Sequence, residues 1–331
     1  MDPSFLNKLE SKLMQISHGI PHSTQPLAVT IGNFDGVHLG HQAMLQRLKQ
    51  TADTLGIATC VLTFEPHPRE FFTPEQAPAR LTSLREKLEY FAGFGIDRVH
   101  ICRFNRPFSQ LSAPDFIERI LRHGLQTKWL LVGDDFRFGA KRTGDFSLLR
   151  QTGTEQGFEV AAMESVTLDG LRVSSTAVRE ALAAGKLAFA NRLLGRPYSI
   201  SGRVVHGDKL GKKIGFPTAN IQIKHNKPPL SGIFAVELSG IGDAKLPGVA
   251  SLGVRPTVKE NGRMVLEAHL FDFDQRIYGQ HVRVDFLHKL RDEEKYTDLD
   301  TLIRQIELDV ENTHEFFRRN GAETDVKAKD A

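Results

Sequence analysis

The chain has 331 residues, of which 40% are hydrophobic and 25% are charged, and its formal net charge is +3. This composition is typical of a soluble globular protein. The small net charge argues against a nucleic-acid-binding protein, which usually has a concentrated basic face.

The length indicates about two domains, because a single hydrophobic core rarely extends over so many residues. Cys60 and Cys102 are the only cysteines and do not form a CxxC pair, which indicates a reducing compartment and predicts a cytoplasmic location. Because no apolar run reaches transmembrane length and the N-terminus lacks a signal-peptide pattern, we expect no membrane association. Residues 1–26 are expected to be a partly ordered lead-in.

From residue 27 to about residue 185, strand patterns alternate with helix patterns. This alternation predicts a Rossmann-like parallel sheet that helices cover on both faces. In such sheets, ligands bind beyond the carboxyl ends of the strands. Strands are predicted at residues 27–31, 58–64, 98–103, 129–133 and 158–163, and helices at 42–54, 81–94, 113–122, 147–156 and 176–184.

A glycine-rich turn, IGNFDGVHLGH, occupies residues 31–41 between the first strand and the first helix. His38 and His41 are three residues apart at the helix entrance, so we expect their side chains to share one face. A helix N-terminus attracts phosphate, and imidazoles directed at it can bind phosphate oxygens. Glycines leave room there for a large ligand; they are Gly32, Gly36 and Gly40.

Two other interpretations of this turn stay open at this point. The residues can simply cap and pack the helix. Alternatively, Asp35, His38 and His41 can bind zinc, although the glycines have no role in such a site and no second cluster completes it.

Two further turns follow predicted strands. Residues 133–139 contain Asp135, and residues 174–179 read SSTAVR at the start of a helix. A helix needs only one hydroxyl as its cap. The extra hydroxyls of Ser175 and Thr176, followed by Arg179, therefore favour binding of a triphosphate.

The pattern changes near residue 185. A short helix is predicted at 187–194, and after it come short alternating strands with turns. This pattern predicts an antiparallel β-barrel closed by a terminal helix. The strands are predicted at 198–205, 232–238, 245–252, 264–270 and 281–289, and the helix at 299–318.

Residues 202–220 form a second glycine-rich segment. Its glycines and lysines resemble a phosphate-covering loop, although the sequence is not a Walker motif. Pro217 fixes the backbone at the exit. Thr218 and Asn220 are two residues apart, so on an extended chain they point to one side. Such oxygens suit Mg²⁺ between nucleotide phosphates, and the alternative is a turn with an Asx-type hydrogen bond. The loop residues in question are Gly207, Lys209, Gly211, Lys212, Lys213 and Gly215.

Glu267 lies in the otherwise apolar strand 264–270. A carboxylate there is either a general base that deprotonates a hydroxyl or a residue on the solvent face, and the strand alone does not decide between them.

These motifs together resemble those of the bacterial bifunctional riboflavin kinase/FAD synthetase family over essentially the full chain. The segment HLGH resembles the HxGH motif of nucleotidyltransferases. The N-terminal matches are GNFDGVHLGH at 32–41, EPHP at 65–68, VGDDFRFG at 132–139 and SSTAVR at 174–179. The C-terminal matches are GFPTAN at 215–220, SLGVRPTV at 251–258, LEAHLFDFD at 266–274 and RDEEKY at 291–296.

The resemblance implies two domains and two reactions. Residues 186–331 would phosphorylate riboflavin with ATP to give FMN, and residues 1–185 would transfer AMP from ATP to FMN, giving FAD and pyrophosphate. It implies Mg²⁺ as cofactor, ATP and flavins as substrates, no nucleic-acid or membrane partner, and a monomer or weak homo-oligomer.

The resemblance also implies roles for individual residues. Glu267 would be the kinase base, His38 and His41 would stabilise the transition-state phosphates, and Arg179 would bind the triphosphate. Asp135 stands where some members have Asn, and its charge favours a contact through magnesium. The adenylyltransferase site would bind ATP through Gly32, Asn33, Phe34, Gly40, Asp135, Ser175 and Thr176. The kinase site would bind ATP or flavin through Gly207, Lys209, Gly211, Gly215, Pro217 and Arg291, and metal through Thr218 and Asn220.

Two other function classes compete with this interpretation. A flavin or nucleotide carrier without turnover would not need Glu267 or the paired histidines. A nucleic-acid enzyme related to aminoacyl-tRNA synthetases would need a KMSKS-like loop and a basic recognition domain, and the sequence has SSTAVR in place of that loop.

Overall fold

The computed structural model describes residues 13–207, 211, 214–223, 227–255 and 263–329. The chain divides into two compact units. The N-terminal unit comprises residues 1–78 and 84–174, and the C-terminal unit comprises residues 79–83 and 175–331. The predicted domain boundary near residue 185 stays a prediction, since the compact units divide the SSTAVR segment itself.

The N-terminal unit is built on a six-stranded sheet in the order β1-β4-β3-β2-β5-β6. All neighbouring strands are parallel, which confirms the predicted Rossmann-like architecture. The central strand β2 is buried along its whole length, as expected for a strand covered on both faces. The strands are β1 Gln15–His18, β2 Leu27–Ile31, β3 Ala58–Glu65, β4 Arg98–Arg103, β5 Thr127–Gly133 and β6 Glu159–Met163.

Helices cover both faces of this sheet. Alternate residues of the strands point to opposite faces, so Val29 and Leu62 join one core cluster and Ala28 and Val61 the other. The helices are α1 Leu39–Leu55, α2 Pro68–Phe72, α3 Leu84–Gly93, α4 Arg106–Ser109, α5 Ala113–Asp115 with a π-helical continuation Phe116–Gly124, and α6 Phe146–Gln156. A small hairpin, β7 Thr167–Leu168 and β8 Leu171–Arg172, follows β6.

The lead-in before residue 27 contains a strand that the sequence pattern did not predict. All four residues of β1 are exposed, so the strand has no apolar alternation. It pairs with β4 at the edge of the sheet. The buried His100 of β4 contacts this lead-in through Ser17 Oγ (2.9 Å) and the Gly19 carbonyl (3.1 Å).

The C-terminal unit is a closed six-stranded antiparallel barrel in the order β10-β13-β12-β11-β14-β9, which confirms the predicted barrel. Two helices, α7 Ser175–Ala183 and α8 Leu187–Leu194, precede it. The strands are β9 Tyr198–Val205, β10 Ala219–Ile223, β11 Gly232–Ser239, β12 Leu246–Arg255, β13 Arg263–Leu270 and β14 His281–Arg291.

The terminal helix α9 spans Leu299–Lys329, so the predicted end at residue 318 was too early. The strand β10 was absent from the sequence prediction, because it is only five residues long and follows a glycine- and proline-rich turn. Among the residues that the structure describes, none of the helices combines the length and the apolar character needed to cross a bilayer.

Candidate functional sites

The order of strands in the N-terminal unit places a topological switch point between β2 and β5. From β2 the chain extends the sheet through β3 and β4 on one side, and it then continues through β5 and β6 on the other. In open parallel sheets, ligands bind in the crevice outside the carboxyl ends of the strands at this point. The segments 31–41 and 133–139 directly follow β2 and β5, so both predicted motifs border the crevice.

The two histidines of the HLGH motif lie against each other. Their rings stack with centroids 3.7 Å apart and planes 18° apart. His38 is the N-cap of α1, and its Nδ1 accepts a hydrogen bond from the His41 backbone N–H at 3.4 Å. His38 therefore caps the helix, as one interpretation required, and it also holds its imidazole beside that of His41 at the positive end of the helix.

The turn before α1 has an unusual backbone. Phe34 and Val37 have φ of 50° and 40°, a region that non-glycine residues rarely adopt. Phe34 is fully buried. Its ring packs 5.0 Å from His41 and 5.3 Å from Phe91. Phe34, predicted to bind ATP, thus supports His41 from within the core.

Glycines are needed where this turn approaches its own side chains. A Cβ on Gly40 would lie 3.2 Å from the His38 ring, and a Cβ on Gly32 would lie 3.1 Å from the Phe34 ring. A side chain at either position would press on the neighbouring ring, so both glycines leave room for the internal geometry of the turn.

A buried lysine that sequence reasoning missed contacts the same turn. Lys87 of α3 is 5% exposed, and its Nζ donates to the Asn33 carbonyl at 3.3 Å. Within the described residues, the side-chain Oδ1 of Asn33 is buried without a hydrogen-bond partner. The local sequence LREKLEYF gives no signal for this role, because lysines in helical patterns usually face solvent.

Asp135, predicted as an ATP-binding residue, forms an ion pair with Arg172 of β8. Its Oδ2 lies 2.8 Å from Arg172 Nη2, and Asp134 Oδ1 lies 3.7 Å from the same nitrogen. No sequence motif pointed to Arg172, which lies 37 residues further along the chain. The guanidinium offsets the negative charge that distinguishes Asp135 from an asparagine.

The zinc interpretation of the HLGH turn has no geometric support. Throughout the part of the chain that the structure describes, no group of three or more His, Cys, Asp and Glu side chains is placed to hold a metal ion.

Ser175, Thr176 and Arg179 of the SSTAVR segment belong to the C-terminal unit. Ser175 begins α7, Thr176 is exposed, and Arg179 is partly buried. Arg179 Nε donates to the Ala79 carbonyl at 2.6 Å. Their shared role as triphosphate ligands stays a prediction.

The barrel brings together the residues predicted for the second site. Asn220 on β10 lies directly opposite Glu267 on β13, and Glu267 lies opposite Ser251 on β12. Residues paired in this way share one face of a sheet. Their neighbours Leu266 and Ala268 are completely buried, so Glu267 and Asn220 lie on the outer face of the barrel.

A cavity of about 340 Å³ lies beside this row. Pro217, Thr218 and Asn220 line it, as does Gly207. Three residues that the sequence did not single out also line it: His206, Arg276 and Tyr278.

Two of these additional residues form an aromatic pair. The rings of His206 and Tyr278 have centroids 4.0 Å apart and planes 32° apart. No sequence signal connected them, because they are separated by about 70 residues and only the closure of the barrel brings them together.

Close approach of the backbone explains two glycines of this site. A Cβ on Gly207 would lie 2.4 Å from the Asn220 side chain, and a Cβ on Gly211 would lie 2.3 Å from the Phe216 carbonyl. Gly215 has a φ of 92°, which favours glycine. The predicted residues Lys209, Lys212 and Lys213 lie outside the described residues.

Arg291, predicted to lie on the flavin side, is bound to the terminal helix. Its Nε and Nη2 donate to the Asp309 carboxylate at 2.8 and 2.7 Å. The hydrogen bonds to Asp309 raise the pKa of the Arg291 guanidinium above its ordinary value, against the smaller opposing effect of burial. The contacts give Arg291 a structural partner, and its role in flavin binding stays a prediction.

Comparison with known proteins identifies both halves. A family model described as FAD synthetase matches residues 20–177, and one described as riboflavin kinase matches residues 194–317. A bifunctional riboflavin kinase/FMN adenylyltransferase from Escherichia coli strain K12 is 48% identical over 307 residues, covering 92% of this chain and 98% of that protein. The protein of the same description from Pseudomonas fluorescens is 50% identical over 301 residues, covering 90% and 96%.

A solved structure from Streptococcus pneumoniae, described as a macrolide-efflux protein, has a similar fold. It has a TM-score of 0.77 and 27% sequence identity, and the match covers 93% of this chain and 99% of that one. The two family matches and the similarity to the curated relatives over most of the chain agree with the motifs. The chain therefore belongs to the bifunctional riboflavin kinase/FMN adenylyltransferase family.

Proposed function

We propose that this chain makes FAD from riboflavin in two steps at two separate sites. The barrel phosphorylates riboflavin with ATP to give FMN, and the parallel-sheet unit then transfers AMP from a second ATP to FMN, releasing pyrophosphate. The observation that carries this proposal is the pairing of Asn220 with Glu267 beside the cavity that Thr218 lines. In this pairing, the Glu267 carboxylate lies next to side-chain oxygens that suit the binding of a magnesium nucleotide.

In the kinase step, the nucleophile is the neutral 5′-hydroxyl of the ribityl chain. Glu267 acts as the general base that orients this hydroxyl and accepts its proton as the oxygen attacks the γ-phosphorus. ADP leaves, and the proton stays on the carboxylate until solvent takes it. Positioning and charge neutralisation supply the rest of the rate acceleration, as in other phosphoryl transfers.

Thr218 and Asn220 are the proposed ligands of Mg²⁺. Both residues line one cavity, and their side chains carry a hydroxyl and an amide oxygen. Magnesium commonly takes few protein ligands and completes its shell with phosphate oxygens and water. Bound with ATP, the ion would neutralise phosphate charge. The rings of His206 and Tyr278, which line the same cavity, offer a surface on which the adenine can stack.

In the adenylyl transfer, the FMN phosphate is already anionic at neutral pH, so no general base is needed. Its oxygen attacks the α-phosphorus of ATP, and pyrophosphate leaves. His38 and His41, at the N-terminus of α1, bind the phosphate oxygens and stabilise charge in the transition state. Ser175, Thr176 and Arg179 are proposed as triphosphate ligands on the strength of their motif.

Mg²⁺, the oligomeric state and the location of the protein are part of the same proposal. We propose a monomer or weak homo-oligomer in the cytoplasm, with ATP and flavins as its only substrates and no nucleic-acid or membrane partner. Two buried free thiols, Cys60 and Cys102, support a reducing compartment.

One incubation tests the two-step proposal. The chain is mixed with riboflavin, ATP and Mg²⁺, and flavins are separated by chromatography over time. FMN appearing before FAD supports the proposal, whereas unchanged riboflavin favours the carrier without turnover. A parallel incubation with FMN and ATP measures the adenylyl transfer alone, and an incubation without Mg²⁺ tests the metal requirement.

A further inference from the structure

We propose that His269 is a positioning residue of the kinase site, which holds the Pro217–Thr218 peptide in the orientation that binds the magnesium nucleotide. This inference rests on the proposed kinase function of the barrel. His269 follows Glu267 by two residues on β13, so both side chains lie on the outer face of the barrel. The residues on either side of His269 are buried and point inward.

The decisive contact joins the His269 ring to the main chain of the metal-binding segment. His269 Nδ1 lies 2.8 Å from the Pro217 carbonyl oxygen. A carbonyl only accepts hydrogen bonds, so the proton of this bond is on Nδ1. Because this carbonyl belongs to the peptide that leads into Thr218, the bond fixes the peptide plane from which the Thr218 side chain extends.

This bond lies beyond the end of the backbone ladder, where only a side chain can connect the two strands. The ladder between β10 and β13 ends where Ala219 pairs with Ala268. Pro217 has no N–H, so it cannot donate to continue the ladder. His269 therefore extends the connection between the two strands beyond their last backbone pair, up to the residue before Thr218.

Aromatic rings hold the histidine itself. Phe216 meets it edge to face, with centroids 5.6 Å apart and planes 81° apart, and Phe271 meets it at 6.0 Å and 72°. Phe271 in turn stacks on His314 of α9, with centroids 4.1 Å apart. The His269 ring is thus confined between Phe216, in the segment that it positions, and Phe271, which stacks on the terminal helix.

The test compares three variants of the full chain. His269→Phe keeps a ring and removes the donor, whereas His269→Asn provides an amide N–H close to the position of Nδ1. His288→Phe is the matched control, because His288 is another barrel histidine in contact with an aromatic ring, that of Phe316 on α9, with centroids 5.2 Å apart. For each variant, we would measure riboflavin phosphorylation at varied Mg·ATP, adenylyl transfer to supplied FMN, and amide hydrogen exchange in peptides covering residues 214–223.

We expect His269→Phe to raise the KM for Mg·ATP in the kinase reaction about 5- to 20-fold, with a smaller change in kcat, as for loss of one hydrogen bond. Its amides in residues 214–223 should exchange faster, while adenylyl transfer is unchanged. His269→Asn should restore most of both properties, and His288→Phe should behave as the wild type.

Three outcomes would overturn the inference. They are an unchanged KM and exchange rate in His269→Phe, a failure of His269→Asn to restore either property, or an equal KM effect in His288→Phe. Failure of the proposed function itself would look different, because the wild-type chain would then leave riboflavin unphosphorylated while segment 214–223 still responded to the substitution.

Discussion

The Asp309 carboxylate accepts two hydrogen bonds from the Arg291 guanidinium and so ties the terminal helix to the end of the last barrel strand. Both side chains are largely buried, at 19% and 5% exposure. Removing one member of a buried pair leaves the other charge without compensation. The unfolding of the barrel should therefore be sensitive to this one contact.

We expect Arg291→Ala to lower the free energy of unfolding by about 2–4 kcal/mol, measured by chemical denaturation. Arg319→Ala is the matched control, since Arg319 pairs with Glu315 on the exposed side of the same helix and should contribute less than about 0.5 kcal/mol. Equal effects of the two substitutions would contradict the anchoring role. The KM for riboflavin, measured in the same samples, tests whether Arg291 also binds flavin.

His41→Ala should abolish FAD formation while FMN still accumulates. The reason is that His41 and its stacked neighbour His38 stand at the N-terminus of α1, in the proposed adenylyltransferase site and not in the proposed kinase site. A reduction of 100-fold or more, roughly the effect of losing a group that stabilises transition-state charge, is expected for adenylyl transfer. His123→Ala, an exposed histidine of the same unit, is the control. Loss of both products in a folded variant would refute the assignment of separate sites.

Glu267→Gln should slow riboflavin phosphorylation by about 10²–10⁴-fold, because the amide cannot accept the proton of the hydroxyl. Adenylyl transfer to supplied FMN should continue at the wild-type rate. The control is Glu237→Gln on β11, a carboxylate of the same barrel that pairs with Lys245 at 2.9 Å. Chromatography of the flavin products distinguishes the two reactions, and near-normal FMN formation would exclude Glu267 as the base.

His100 should make the N-terminal unit less stable in acid. Burial lowers the pKa of the His100 imidazole below its ordinary value of 6.5, more than its hydrogen bond to the Gly19 carbonyl raises it. The unfolded chain therefore binds the proton more readily than the folded chain. The stability that depends on a neutral His100 is complete above pH 6.5 and is lost as the pH falls towards the lowered pKa.

Denaturation of the wild type and of His100→Gln at pH 7.5 and 5.5 checks this sign. The wild type should lose more stability over this interval than the variant does. His22→Gln, which changes an exposed histidine of the same unit, is the control. An identical pH dependence in wild type and His100→Gln would show that His100 does not contribute.

The two cysteines should be inert in the folded protein. Burial raises the pKa of the Cys60 thiol and that of the Cys102 thiol to about 12. Since the thiolate is the reactive form, a thiol reagent at pH 8 should modify neither residue, and denaturant should expose both. Mass spectrometry counts the modified thiols, and labelling of either cysteine under native conditions would disprove the prediction.

Much of the fold could be predicted from local patterns. Buried strands such as β2 appear in the sequence as apolar runs, and the HLGH motif appears as two histidines, His38 and His41, three residues apart. The strand and the motif could therefore each be recognised without tertiary information. Strand β1 could not, because its residues are exposed and only pairing with β4 makes it a strand.

Only those parts of the two sites that lie within one continuous segment of the chain could be predicted. The Asn220–Glu267 pairing required the register of two strands that are about 45 residues apart. Arg172, Lys87 and the rings of His206 and Tyr278 have no motif, because their roles arise from contacts across the fold. Asp309 was missed for the same reason, since an acidic residue in an amphipathic helix normally faces water.

The alternation along β13 divides one short strand between the packing of the barrel and the proposed kinase site. Leu266, Ala268 and Leu270 are buried in the barrel interior, whereas Glu267 and His269 lie on the outer face, where we propose that the kinase reaction takes place. Interior positions therefore tolerate exchange among apolar residues of suitable size, and stabilising substitutions can be introduced there without loss of turnover. An insertion or deletion of one residue, in contrast, would exchange the two faces and remove fold and activity together.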